Sequence, residues 1–291
     1  MRHLEGLRDV ETRLAAVFRS TFDQLYNGQL TGRYRLSQLH KTEKTYFGTL
    51  IEINMQREFG FSDGVLLDYS ICGHEIDCKY SHTGQWMLPL ESFNQLVLLA
   101  QADDFSARWS LGIIRVTEEN RRKSSNRDSK TGLNAHGRSQ IHWLFTNAPM
   151  QPNALLDLPS DTVERILAHR TGQQRINELF RSALKYRITR KIVATVAQQD
   201  DYMKRVRASG GARSALKPEG IIILSGHYLA QRNLAAALGV PDLQTNELAS
   251  FKVVPADEQN GVLIDGGYWR NAGDGEVTST PAPKTPTRSR A

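Results

Sequence analysis

Asp77 and Lys79, flanking Cys78, and Asp68 a short way upstream are the residues whose types and spacing could most readily do chemistry. The run from Val65 to Tyr80 alternates apolar and polar side chains, the period of half-buried strands. A two-residue turn at Gly73-His74 would set Asp68 opposite Lys79 and Ser70 opposite Asp77. Strand side chains alternate faces, so Asp68, Ser70, Asp77 and Lys79 would then share one face. Leu67, Tyr69, Ile71, Ile76, Cys78 and Tyr80 would point the other way, into a core. Two carboxylates and an ammonium on one sheet face suit a divalent cation and an activated water, the equipment of a nuclease. An acid-x-base triplet alone is more often a solvated surface pair. The cross-strand Asp68 is what lifts this one above that reading.

The elements that must position these groups are legible around them. Leu7, Val10, Leu14, Phe18, Phe22, Leu25 and Tyr26 recur at helical spacing, predicting a helix over 3–26 that Asn27-Gly28 ends. A second helix is predicted from about Thr42 to Phe59, stopped by Gly60. Its apolar stripe is Phe47, Leu50, Ile51 and Met55; Glu52 lies off that stripe, beside Thr45, Gly48, Thr49 and Gln56. Such a carboxylate is open to close approach, although an exposed helix Glu is the commoner case. Strands are predicted over 93–100 and 108–116, separated by a turn at Asp103 to Ser106. A polar loop follows from Glu118 to Arg138. The expected fold class is therefore α/β, a mixed sheet flanked by helices over residues 1–148.

Pro149, Pro152 and Pro159 mark a linker over 149–160, and a second domain is expected over 161–270. There, Asp161 starts one helix, Arg175–Tyr186 is a second, and Thr189 caps a third carrying Ile192, Val193 and Val196. A further short helix, Tyr202–Arg207, ends at Gly210-Gly211, and Pro218-Glu219-Gly220 turns into the strand Ile221–Leu224. Short helices followed by a turn and a strand suggest a winged helix-turn-helix. Residues 271–291 are rich in Pro, Thr, Ser and Gly and are expected to be a disordered tail.

Composition narrows the class. The 291 residues carry a formal net charge of +6 at a mean hydropathy of −0.45, and no apolar run approaches the span of a bilayer. The N-terminus lacks the apolar stretch of a signal peptide, and two cysteines that would face opposite sides of the sheet fit a reducing cytoplasm. The charge is concentrated. Arg165 to Lys217 holds nine Arg and four Lys against Glu178, Asp200 and Asp201, a net +10, while the rest of the chain sums to −4. A basic segment of that density points to a polyanion, and nucleic acid is the usual one.

Several longer stretches resemble the NaeI-type restriction endonucleases. They are Thr31-Gly32-Arg33-Tyr34-Arg35, Gln38 to Thr45, Asp77-Cys78-Lys79, Trp86-Met87-Leu88-Pro89 and Asn126-Arg127-Asp128. In the second domain they run through Ala194 to Asp201, Met203 to Arg207, Ser209 to Arg213 and Pro218 to Leu224. The resemblance implies a homodimer whose N-terminal domain has the restriction-endonuclease-like fold. It implies a C-terminal domain like the DNA-binding domain of catabolite activator proteins. It places the active site on Glu52, Asp68, Asp77 and Lys79. It further implies cleavage of both strands of double-stranded DNA at GCCGGC, activation by a second DNA site bound through the C-terminal domain, and a cognate DNA methyltransferase encoded nearby.

The expected cofactor is Mg2+, held by Asp68, Asp77 and the Cys78 carbonyl, with Glu52 bound directly, through water, or completing a second metal position. Lys79 would orient the attacking water. Arg127, Arg190, Lys191, Lys204, Arg205, Arg207 and Arg213 are the expected DNA contacts. A mismatch-repair-type nicking enzyme and a catalytically inactive DNA-binding regulator are the competing readings. His40 and His74 read as loop or turn residues. Leu25-Tyr26-Asn27-Gly28 looks like the nucleotidyl-lysine motif of DNA ligases with Leu25 at the lysine position, which excludes covalent ligase chemistry there.

Overall fold

The computed structural model describes residues 2–124 and 129–286, so Arg127 and its neighbours Asn126 and Asp128 lie outside the described residues. The chain forms two compact units, Met1–Tyr26 with Arg35–Asn153, and Asn27–Tyr34 with Ala154–Ala291.

The predicted first helix is two helices, α1 (Arg2–Glu5) and α2 (Val10–Tyr26). The chain breaks where Asp9 takes a left-handed φ of 51°, and the Asp9 carbonyl then accepts from Arg13 N–H at 3.0 Å to open α2. Next comes α3 (Gly28–Thr31), which belongs to the second unit, with Asn27 in the left-handed region at its start, the Asn-Gly turn expected there. A Cβ at Gly28 would strike Thr195 and the Arg33 carbonyl, so this close approach requires glycine. The long helix α4 (Lys41–Phe59) ends at Gly60, whose φ of 66° lets its N–H bond Gln56 O at 2.8 Å.

The first unit holds a six-stranded mixed sheet in sequential order: β1 (Ser62–Asp63), β2 (Tyr69–Ile71), β3 (His74–Tyr80), β4 (Leu96–Asp103), β5 (Arg108–Arg115) and β6 (His142–Pro149). Only β3 and β4 run parallel. The period-2 pattern of β4 sorts its residues onto two cores. Leu98, Ala100 and Ala102 join the cluster of α2 and α4 residues, including Phe18, Phe22, Phe47, Ile51 and Met55. Val97 and Leu99 face a second cluster with Trp86, Leu88, Ile114, Leu133 and Ile141. Each fully buried side chain of this size contributes about 1.5–3 kcal/mol of burial free energy. At the end of the stretch expected as a loop, a short helix, α5 (Ala135–Ser139), is capped by Asn134 Oδ1 accepting Gly137 N–H at 2.8 Å.

The stretch expected as a linker is partly structured, since it holds α6 (Ala154–Asp157) and the start of α7 (Ser160–Ala168). Then come α8 (Gly172–Ser182), the strand β7 (Ile188–Thr189) and α9 (Arg190–Ala197). Thr171 and Thr189 cap α8 and α9 through bonds from Gln174 N–H and Ile192 N–H, both 3.2 Å. Tyr202–Val206 is a 3-10 turn rather than an α-helix, followed by α10 (Ala212–Ala215). The unit closes with β8 (Ile221–Ser225), α11 (Leu229–Ala237), β9 (Glu247–Pro255), β10 (Val262–Ile264) and β11 (Gly267–Asn271). β7, β8 and β11 all pair antiparallel with β9.

The described part of the expected disordered tail is instead seated on this unit. Ala282 is buried and its N–H bonds Lys217 O at 2.8 Å, while Gln231 Nε2 donates to Pro286 O at 2.7 Å. A Pro-rich strap needs no apolar periodicity when side chains and carbonyls of the unit beneath satisfy its backbone.

Candidate active site

β2 and β3 form the expected hairpin, with the turn one residue earlier than predicted, at Cys72-Gly73. Both residues have positive φ (52° and 76°), as a type I′ turn demands, and Ser70 pairs with Glu75 and Tyr69 with Ile76. Moving the turn by one residue changes cross-strand partners by two positions, so the faces are preserved. Tyr69, Ile71, Ile76, Cys78 and Tyr80 point into the α2–α4 core, as expected. Asp77 and Lys79 lie on the opposite face, at the level of Val97 and Leu99 of β4. The two cysteines are unpaired, Cys72 exposed and Cys78 buried.

Three of the four expected catalytic side chains touch. Lys79 Nζ donates to Asp77 Oδ1, lies 3.5 Å from Asp68 Oδ2, and also reaches the Cys78 carbonyl at 3.1 Å. Asp68 Oδ2 accepts the Cys78 N–H at 2.7 Å, which fixes its carboxylate against β3. Asp77 is 3% exposed, and its Oδ2 is buried with no hydrogen-bond donor among the described residues. Burial pushes the Asp77 carboxyl up to about 6; Lys79 opposes the rise and Asp68 adds to it. Burial works against the Lys79 ammonium too, but Asp77 and Asp68 outweigh it and hold it above its ordinary range.

Glu52 comes from α4, whose Glu52 carbonyl accepts the Tyr69 hydroxyl at 2.8 Å and so ties that turn of helix to β2. Its half-buried carboxyl is raised, first by burial and then by Asp68, with Lys79 opposing and Asp77 adding. All four groups therefore share one electrostatic field.

Among the described residues no set of three or more His, Cys, Asp or Glu forms a ready metal cage. The donors present still fit Mg2+, which keeps several waters and takes one or two carboxylates rather than an all-protein cage. The fit rests on the buried, unpartnered Asp77 Oδ2 and the neighbouring Asp68. His40 stands at the start of α4, its N–H on Glu43 Oε2 at 2.9 Å, and exposed His74 begins β3.

The expected DNA contacts divide by environment. Arg190 and Lys191 are exposed on the first turn of α9, and Arg207 is exposed after the 3-10 turn. Lys204 and Arg205 lie 3.5 and 3.0 Å from Asp201 Oδ2. Arg213 is largely buried, with Nε on Ile223 O at 3.0 Å.

Sequence reasoning missed Glu75. Its carboxylate accepts the N–H groups of Val65, Leu66 and Leu67 at 2.9–3.1 Å, and these bonds lower its pKa. A Cβ on Gly64 would collide with the Leu67 carbonyl and crowd Glu75 Oε2. Glu75 thus fixes the chain that enters Asp68. An acidic residue inside an alternating strand looks like any solvated face position, and only the odd Gly64 beside an apolar run hints at the tight loop.

Two carboxylates, a lysine and a helix glutamate around one β-hairpin make the kind of group that hydrolytic enzymes use on phosphodiesters. Residues 2–279 match the family described as restriction endonuclease NaeI. The chain is also 45% identical over 288 residues to the type II restriction enzyme NaeI of Lentzea aerocolonigenes, covering 95% of this chain and 90% of that relative. This chain belongs to the NaeI restriction endonuclease family.

Proposed function

We propose that this protein is a Mg2+-dependent type II restriction endonuclease that hydrolyses both strands of double-stranded DNA, with Glu52, Asp68, Asp77 and Lys79 as its hydrolytic centre. The observation that carries the assignment of the centre is Asp77, a buried carboxylate paired on one oxygen with Lys79 and unpartnered on the other. Bound at Asp68 and Asp77, with Glu52 and the Cys78 carbonyl as further donors, Mg2+ would activate water and offset charge on the phosphorane-like transition state. Asp68 is held in place by Cys78 N–H, so it needs little reorganisation to act. Lys79 is kept charged by its two carboxylate neighbours, so it can orient a water and stabilise developing negative charge.

The second unit fits a winged helix-turn-helix that binds effector DNA. Support comes from α8, β7 and the Thr189-capped α9 in that order, with β7 and β8 both on β9. Of the expected contacts, Arg190, Lys191 and Arg207 are exposed and available to phosphates, while Lys204 and Arg205 are tethered by Asp201. Arg213 would act by bracing β8 through the Ile223 carbonyl. The full reading is a cytoplasmic homodimer of a restriction-modification system, with domains near 1–148 and 161–270, cutting at GCCGGC and paired with a methyltransferase. Among the described residues no helix is long and apolar enough to cross a membrane.

The test incubates the chain with Mg2+ and plasmids bearing zero, one or several GCCGGC sites, with and without a site-bearing oligonucleotide. Slow cutting of the one-site plasmid, accelerated by the oligonucleotide, is the expected result. Cutting elsewhere would remove the assigned site while keeping the chemistry. Nicked product alone would favour the mismatch-repair-type enzyme, and binding without any cutting the regulator.

A further inference from the structure

We propose that Arg122 and Arg138, gathered by Gln85 in the first unit, form a phosphate-binding site that grips the backbone of the DNA being cut. This rests on the nuclease reading above. Both guanidiniums converge on one amide oxygen, Arg138 at 2.5 Å and Arg122 at 3.2 Å from Gln85 Oε1. Like charges brought together repel, and here a neutral acceptor holds them rather than a carboxylate. Among the described residues neither arginine has an acidic partner within ion-pair distance.

Arg122 also borders an open basin of about 450 Å3 whose lining includes Glu118, Arg121, Lys123, Ser129 and Thr131. Arg121, also in this lining, holds its guanidinium over the Phe93 ring at 4.3 Å. Glu118 is the one acid of the lining, and among the described residues it makes no ion pair with these cations. Outside residues 165–217 the chain is net negative, so this is a local reversal of sign.

The scaffold beneath is fixed rather than loose. Arg122 N–H bonds Gly132 O at 2.8 Å, and Thr131 Oγ1 bonds Arg122 O at 2.8 Å. Asn134 Nδ2 spans the Glu119 and Arg121 carbonyls at 2.7 and 3.0 Å, and Gly137 packs too close to Asn120 to carry a side chain. Gln85 lies in the loop that leaves β3 after Tyr80, so the arginines are tied to the segment that follows the strand of the proposed hydrolytic pair. Two forked cations presented on a rigid frame match the two free oxygens of a phosphodiester.

The test measures single-turnover cleavage of a site-bearing duplex against enzyme concentration, at several salt concentrations and saturating effector oligonucleotide. For R122A/R138A the half-saturating concentration should rise about tenfold at 0.1 M salt. The slope of its logarithm on log salt should flatten by about 0.9, the value for one phosphate no longer neutralised. The maximal rate and melting temperature should stay at wild-type values, and R122K/R138K should recover part of the loss. An unchanged half-saturation and slope would overturn the proposal, as would a fall in maximal rate alone. Were the wild type to bind duplex without cutting, the nuclease reading would fall, and the same slope read by fluorescence anisotropy would still decide this one. A wild type that bound no duplex would overturn both.

Discussion

Among its described residues the first unit buries two aspartates, Asp104 at 2% exposure and Asp77 at 3%, and they are served in opposite ways. Asp104 sits in the turn between β4 and β5 and has both oxygens filled, one by Arg19 and the other by the Tyr26 hydroxyl at 2.7 Å. Arg19 is shared with Asp23 at 3.1 Å, and burial together with Asp104 raises the Tyr26 phenol far above its usual range. This network locks α2 to the sheet and leaves neither Asp104 oxygen free for a ligand, although Arg19 Nε and Nη2 are without a hydrogen-bond acceptor among the described residues. Asp77 has one oxygen on Lys79, the other unpartnered, and a second carboxylate beside it. A buried charge that is saturated serves the fold. One left unsaturated is held there by the rest of the structure, and such groups cluster where chemistry is done.

Substitution should separate the two most sharply. Asp77→Ala should lower DNA cleavage about a thousandfold, in the range of losing a key electrostatic group, while duplex binding in an electrophoretic shift assay persists. Retention of cleavage within a few fold would remove Asp77 from the centre. Asp104→Ala should do the reverse. It leaves the buried Arg19 with Asp23 as its remaining carboxylate and should destabilise the protein by about 3 kcal/mol in urea unfolding, with the activity of the folded fraction retained. Equal loss of stability in both variants would erase the contrast.

How far the sequence revealed this contrast depends on which physical signal carried each part. Faces survived because a strand alternates with period two, so misplacing the turn by one residue left Asp68, Asp77 and Lys79 together. The turn itself was missed because Cys72 at positive φ is uncommon for a residue with a Cβ, and Gly73-His74 looked easier. Caps at Thr189 and Gly60 were readable because they act within one turn of helix. Asp104 lay in a predicted turn, and nothing local says that Arg19 and Tyr26, far away in the chain, will bury it. The Gln85-Arg122-Arg138 cluster was equally hidden, since it is made by residues distant in sequence, and Glu75 was hidden because its partners are backbone N–H groups of a loop that carry no side-chain signal.

The pH dependence of stability offers a subtler separation. Asp77 titrates near 6 in the fold and near 4 unfolded, so the folded state prefers its proton. Its stabilising contribution is therefore complete below about pH 4 and is lost as pH rises through about 6, on the order of 3 kcal/mol by about pH 7. Asp77→Asn should abolish that fall and raise the melting temperature at neutral pH, measured by calorimetry without divalent cation. A variant less stable than wild type at neutral pH would mean that the Lys79 pair outweighs the burial of Asp77.

The smallest expected effect sharpens the comparison furthest, because it concerns what keeps the unsaturated site in shape. Glu75 satisfies three successive N–H groups of the loop that delivers Asp68, yet it touches none of the proposed reacting groups itself. A neutral amide at this position keeps the shape but offers one acceptor oxygen in place of two charged ones. Glu75→Gln should therefore lower kcat about tenfold and leave KM for DNA nearly unchanged, since Asp68 loses its registration rather than the DNA its grip. The Mg2+ concentration for half-maximal rate should rise at the same time, a shift that general loosening of the fold would not single out. Glu75→Asp, which keeps the charge on a shorter arm, should recover part of the rate. A normal kcat in Glu75→Gln would mean that the loop holds Asp68 without its carboxylate clamp, through the Cys78 N–H alone.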